Sequence, residues 1–222
     1  MSYFQRALAA PTIEVAESSI NKALNLYNSD VYWRTYSQIY LVKLSSLTKD
    51  KNSLSEEDKA TLQTTLSQAV NGARLAITYD STNYLNFQAL GSVYKTAAII
   101  GVKDAYLEAI KAYNDAGILN PFNPGIKLSV ADAYLISGKN KEAKESAQEA
   151  LTLKPDYIEA LIFLSQISKS ESDNKSALSY AQTALSYAPT NEDLIKYVKS
   201  LQVSSSSATT DKAKDDSKKT SN

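Results

Sequence analysis

At 222 residues and 43% hydrophobic composition, the chain holds enough apolar material for one or two folded domains. Its 24 basic and 24 acidic side chains leave no net field to draw it to nucleic acid or to an anionic membrane. Histidine and cysteine are both absent. That removes the commonest general base, imidazole and thiolate metal sites, disulfides and cysteine nucleophiles, and leaves the redox compartment undetermined.

Residues 1–29 read as a partial helix pair. Phe4-Gln5-Arg6-Ala7-Leu8 has the pattern of a helix end, Pro11 of a turn, and Ala16, Ile20 and Ala23 of one face of a second helix. Either an upstream stretch of a longer protein is missing, or the first helix is naturally short. Met1-Ser2-Tyr3-Phe4-Gln5-Arg6 lacks a basic segment followed by a long apolar one, and no apolar run approaches the roughly 18 residues of a spanning helix. The chain as given is therefore expected to be soluble and untargeted, with no direct membrane insertion.

Four further units follow, each a helix of bulky-x-x-bulky-small spacing and then a helix with small residues at helical intervals. In residues 30–82 these are Trp33, Tyr36, Ser37, Tyr40 and then Ala69, Ala73, Ala76, with Ser81 where later units carry proline. Tyr40 and Ala69 lie 29 residues apart, so both helices are expected to be long, turning near Asp50-Lys51-Asn52. Ser55-Glu56-Glu57-Asp58 then starts the return as a relative of the capping box.

Residues 83–123 carry Phe87, Leu90, Gly91, Tyr94 and then Ala109, Tyr113, Ala116, Pro121. A smaller insertion there holds the apolar run Ala97 to Val102, for which burial beneath the long first hairpin is expected, with an exposed contact as the alternative. Residues 124–157 carry Val130, Ala131, Tyr134 and Ala143, Ala147, Ala150, Pro155, with Lys127 at the large aromatic position and a turn at Gly138-Lys139-Asn140. Residues 158–190 carry Leu161, Leu164, Ser165, Ser168 and Ala177, Ala181, Ala184, Pro189. Pro121, Pro155 and Pro189 are spaced by 34 residues, a length that accommodates two short helices and two turns. In residues 191–202, Asn191-Glu192-Asp193 is expected to cap a last helix whose Leu194, Ile195, Val198 and Leu201 cover the final unit. Residues 203–222, rich in Ser, Thr, Asp and Lys, are expected to be a disordered tail.

This pattern resembles the tetratricopeptide repeat over roughly residues 12 to 189. The resemblance implies an all-α fold, an α–α superhelix of antiparallel helix pairs, in which the small residue of each first helix faces the first alanine of the second. It also implies that first helices line a concave face receiving a peptide or protein partner. The positions that would face it are Arg34, Gln38, Gln88, Ser92, Lys95, Leu128, Asp132, Ile162 and Gln166. Some members grip a terminal carboxylate with a Lys and Asn set; Arg34, Gln38 and Ser92 stand in those places, so that clamp is not reproduced. Tyr40, Tyr94 and Tyr134 occupy equivalent positions and are expected to fill space between neighbouring helices.

The carboxylate pairs Glu56/Glu57, Glu142/Glu145 and Asp215/Asp216 sit at a helix start, on a solvated face and in the tail, and the six glycines form no phosphate loop. Neither catalysis, a cofactor nor a metal is expected. The leading reading is a non-catalytic interaction scaffold for a peptide or protein, not for nucleic acid. A second comes from Val31 to Leu41, the long hairpin and Asp80-Ser81-Thr82-Asn83-Tyr84, which resemble the carboxy-terminal repeats of bacterial membrane proteins of the O-antigen ligase and polymerase type. That resemblance implies an accessory domain in glycan assembly. A spacer or self-association role through Ile99, Ile100 and Val102 is a third, and the oligomeric state is left open.

Overall fold

A computed structural model describes residues 1–48 and 55–203. Ten helices run in chain order: α1 (Tyr3–Leu8), α2 (Ile13–Leu26), α3 (Asp30–Thr48), α4 (Glu56–Tyr79), α5 (Tyr84–Ile99), α6 (Ala105–Leu119), α7 (Pro124–Ile136), α8 (Asn140–Leu153), α9 (Ile158–Ser170) and α10 (Asn174–Tyr187). An eleventh, α11, covers residues 192–203, and no strand occurs among the described residues. The helices fall into two compact units, one of Met1–Lys139 and one beginning at Asn140.

Helix starts follow side-chain chemistry. Ser2 Oγ accepts the Gln5 N–H at 3.2 Å while the Gln5 side chain accepts the Ser2 N–H at 3.0 Å, so the stretch expected to end a helix instead starts one at Tyr3. Ser55 and Asp58 form the expected reciprocal cap of α4. Asn83 and Asn123 each accept the N–H two residues on, capping α5 and α7, and Asn191 does the same for α11. The turn expected at Asp50-Lys51-Asn52 and the tail from Ser204 onward lie outside the described residues. Val203, placed at the head of that tail, belongs to α11.

Within the first unit, α3 packs on α4, α4 on α5, α5 on α6 and α6 on α7. Ser37 Oγ donates to the Ala69 carbonyl at 2.7 Å, putting the small residue of the first helix against the first alanine of the second. A β-carbon at Gly72 would lie 2.7 Å from the Tyr36 ring, and one at Gly91 2.6 Å from the Tyr113 ring. Gly72 lets the α4 backbone approach that of α3 at Ser37, and Gly91 makes room for the Tyr113 ring. The alanines at 69, 73, 76, 109 and 116 are fully buried. Tyr40 is buried, and Tyr94 and Tyr134 pack against Ala109, Ile110, Tyr113, Val130 and Ala133. Lys127 is half-buried, and the buried apolar side chain beside it is Ile126.

The second unit repeats the scheme on shorter helices. Ser165 Oγ donates to the Ala177 carbonyl at 2.6 Å, and Ala177 and Ala181 pack against Val198 and Leu201 of α11. Leu194 closes over Leu161 and Ala184. Apolar area withdrawn from water here is the main stabilising contribution of the last helix.

The run Ala97–Val102 departs from expectation. Ile99 is 63% exposed and Val102 41% exposed, whereas Ala97 is buried and Ile100 half-buried, so the run is covered only in part. α5 ends at Ile99, and the chain closes a Schellman turn in which the Val102 N–H donates to Ala97 and the Gly101 N–H to Ala98. That early turn places the two side chains at a hairpin tip, where Val102 lines a small groove with Leu66 of α4.

Candidate partner-binding groove

The first unit brings α3 and α5 side by side, and a polar network fixes their spacing. Asn86 is completely buried; its Nδ2 donates to the Ala76 carbonyl at 3.1 Å, to the Asp80 carbonyl at 2.9 Å and to Asp30 Oδ2 at 3.2 Å. Its Oδ1 accepts from Arg34, whose guanidinium also reaches Asp30 at 3.3 Å, and Asn83 donates to the same carboxylate at 2.9 Å. Burial pushes the Asp30 carboxyl up, but bonds from Asn86, Asn83 and the Val31 N–H and the Arg34 charge outweigh it, leaving it below the ordinary range. Arg34 is therefore held in place as part of the wall, with its charge locally neutralised.

Between these helices lies a groove of about 400 Å³ lined by Arg34, Thr35, Gln38, Leu85, Gln88, Ala89 and Ser92. Arg34, Gln38, Gln88 and Ser92 are thus brought together in one groove, as the family resemblance implied. Lys95 and Asp132 are paired with each other at 2.7 Å across α5 and α7. Burial works against the Lys95 charge, yet Asp132 and Tyr113 carry its pKa above the ordinary value. Leu128 is half-buried on α7. Ile162 and Gln166 belong to the second unit, where Ile162 packs against Leu161, Ala184 and Leu194 and Gln166 is exposed.

A second pocket of about 400 Å³ opens on the other flank of α3, between it and the α1–α2 elbow. Leu8, Pro11, Ile13, Ile39 and Val42 form its apolar lining, and Thr35 and Gln38 stand on the wall that it shares with the polar groove. Sequence reasoning missed it, although its signal was present in the contrast between a six-residue α1 and a 19-residue α3. Among the described residues no cluster of acidic side chains could hold a metal ion, and no helix is long and apolar enough to cross a membrane.

No protein-family model and no curated protein sequence matches the chain. Solved structures do. A thermophilic TPR protein of Thermus thermophilus superposes with a TM-score of 0.65 at 17% identity, over 90% of this chain and 97% of that one. The fold is the tetratricopeptide repeat. MamA, another match, gives a TM-score of 0.62 at 17% identity over 87% of this chain and 98% of its own. Human IFIT1, solved as a dimer with PPP-AAAA, gives 0.70 at 16% identity over 96% of this chain and 48% of that one. Identities this low establish the tetratricopeptide architecture; partner chemistry has to be read from this chain's own side chains.

Proposed function

We propose that this tetratricopeptide chain is a non-catalytic scaffold whose first unit holds a protein segment along α3 and α5. The observation carrying this reading is the groove formed by Arg34, Gln38, Gln88 and Ser92, whose rear wall is locked by a fully buried asparagine. Such a wall is ordered before any partner arrives, and a preorganised surface avoids part of the entropy loss of binding. The hydroxyl and amide groups suit the polar main chain of a peptide. Nucleic acid is the less favoured class, because Arg34 and Lys95 are each paired with an acidic side chain and the whole chain carries no net charge. The accessory role in a membrane glycan-assembly protein rests on sequence resemblance alone.

A photo-crosslinking side chain at Gln38 or Gln88 tests the assignment against one at exposed Thr64 on α4. Discrete adducts with the same protein from positions 38 and 88, absent from position 64, are expected in cells expressing the full chain. Equal adducts from all three positions, or none from 38 and 88, remove the groove as the binding face.

A further inference from the structure

The geometry points to a specificity subsite: the pocket beneath the α1–α2 elbow takes one uncharged aliphatic or aromatic side chain of an extended partner segment, whose backbone runs past Thr35 and Gln38. This rests on α3 and α5 forming the partner surface.

The pocket arises from unequal helix lengths. α1 has 6 residues and α3 has 19. At 1.5 Å per residue that difference is about 20 Å of helix. Phe4 stacks on Tyr32 at 4.4 Å near the start of α3, and the chain then turns away through Pro11. Ile39 and Val42 are thereby left lining an opening. Leu8 is 63% exposed and Val42 48% exposed at its rim, so an apolar side chain seated there removes water from both.

Charge complementarity selects the occupant. No lining residue is charged, and the neighbouring ion pairs are closed: Lys43 binds Glu17 at 2.8 Å, and Arg34 is bonded to Asp30. A charged side chain would lose hydration there without meeting a counter-charge, whereas an apolar one loses nothing. The polar wall then argues for an extended backbone. Thr35 and Gln38 separate this pocket from the groove holding Gln88 and Ser92, so both flanks offer hydrogen-bonding side chains to main-chain groups. An extended segment presents its N–H and C=O groups for such bonds, while a helix has already paired its own. The volume, about 400 Å³, falls toward the lower end of the roughly 300–1,000 Å³ typical of small-ligand sites, enough for one side chain and adjoining main chain.

The test is a titration of the full chain, followed by methyl and amide NMR, with blocked Gly/Ser peptides carrying a central Leu, Phe, Asp or Lys. The Leu and Phe peptides should move the Ile13, Ile39 and Val42 methyl signals at millimolar concentration, and the Asp and Lys peptides should not. Val42→Asp should weaken the Leu peptide by about tenfold or more, the scale of a lost apolar subsite contact. Leu8→Ser, at a more exposed position, serves as a second variant should the first disturb folding. Equal shifts from all four peptides would overturn the subsite. So would movement of the same methyls on concentrating the free protein, which would assign the pocket to a second copy. Perturbation of Gln88 and Ser92 alone would sink the subsite and spare the groove; silence at both places would sink both.

Discussion

The α3–α4 and α9–α10 hairpins share one packing device and diverge in everything that surrounds it. In each, a serine hydroxyl donates to the carbonyl of the first alanine opposite, Ser37 to Ala69 and Ser165 to Ala177. Yet α9 and α10 span 13 and 14 residues, and α3 and α4 span 19 and 24. The shorter pair follows the 34-residue period and buries its small-residue face against α11. The longer pair overshoots its neighbours, and both candidate pockets lie along α3. The repeat thus accounts for the packing and for the register of the polar groove, and the unequal helix lengths account for the apolar pocket beside it.

The largest effect is expected from Asn86, the α5 residue bonded to both helices of the long hairpin. Asn86→Leu leaves the Asp80 carbonyl without its side-chain donor, takes one of two donors from the Ala76 carbonyl, which keeps the Asp80 N–H, and strips Asp30 and Arg34 of a partner. A group left unsatisfied costs about 1–3 kcal/mol and each further lost bond about 1 kcal/mol, so a loss of about 3 kcal/mol or more is expected for the first unit. Trp33, the single tryptophan, lies on α3 and reports that unit by fluorescence during urea unfolding. An unchanged midpoint would mean that the network does not fix α3 against α5.

Next in size are the two shared serines. Ser37→Ala and, in a Tyr197→Phe background that removes the second contact of the Ser165 hydroxyl, Ser165→Ala should each cost about 1 kcal/mol, the usual net value of one hydrogen bond, despite the difference in hairpin length. Amide hydrogen exchange, read separately in α4 and α10, checks this. Unequal costs would show that hairpin length changes the worth of the contact and would break the comparison.

Acid separates the two hairpins by a different route. The Asp30 carboxyl is held below its ordinary value, so it binds fewer protons folded than unfolded. Its stabilisation is present above the unfolded pKa of about 4 and fades as pH falls through the lower folded pKa. Urea midpoints read by Trp33 should drop between pH 5 and pH 3 in the parent chain. Asp30→Asn should have a lower midpoint at pH 5 and lose less of it on acidification. A parallel drop in both proteins would rule out Asp30 as the source.

Legibility in the sequence followed the range of the interaction. Alanines 69, 73, 143, 147, 177 and 181 were found because local helical spacing fixes which face they share, and all six are fully buried. Arg34, Gln38, Gln88 and Ser92 came from the likeness to the tetratricopeptide repeat, and they line one groove because register within a helix sets direction. Pairing of Lys95 with Asp132 could not be read, because it depends on the separation of two helices 37 residues apart in sequence. Exposure of Ile99 escaped for a related reason: composition favoured burial, while the turn at Gly101 decided where the covering surface ended. The apolar pocket needed two elements at once, a short α1 and a long α3.

The smallest expected effect concerns how the hairpins turn. At the end of α9, Ser172 sits at φ 64 and the chain closes with the Asp173 N–H donating to Ser168 and the Ser172 N–H to Lys169. At the end of α7, Gly138 sits at φ 76 in the same Schellman arrangement, with Lys139 bonded to Tyr134. A side chain in the left-handed region costs roughly 1–2 kcal/mol, offset in part by the greater flexibility that glycine gives the unfolded chain. Ser172→Gly should therefore stabilise the second unit by about 0.5 kcal/mol, and Gly138→Ala should destabilise its turn by about 1 kcal/mol. Slower amide exchange in α10 of the first variant and faster exchange in α7 of the second are the readouts. A slower exchange in both would mean that unfolded-chain entropy, not the backbone conformation at the turn, sets the balance.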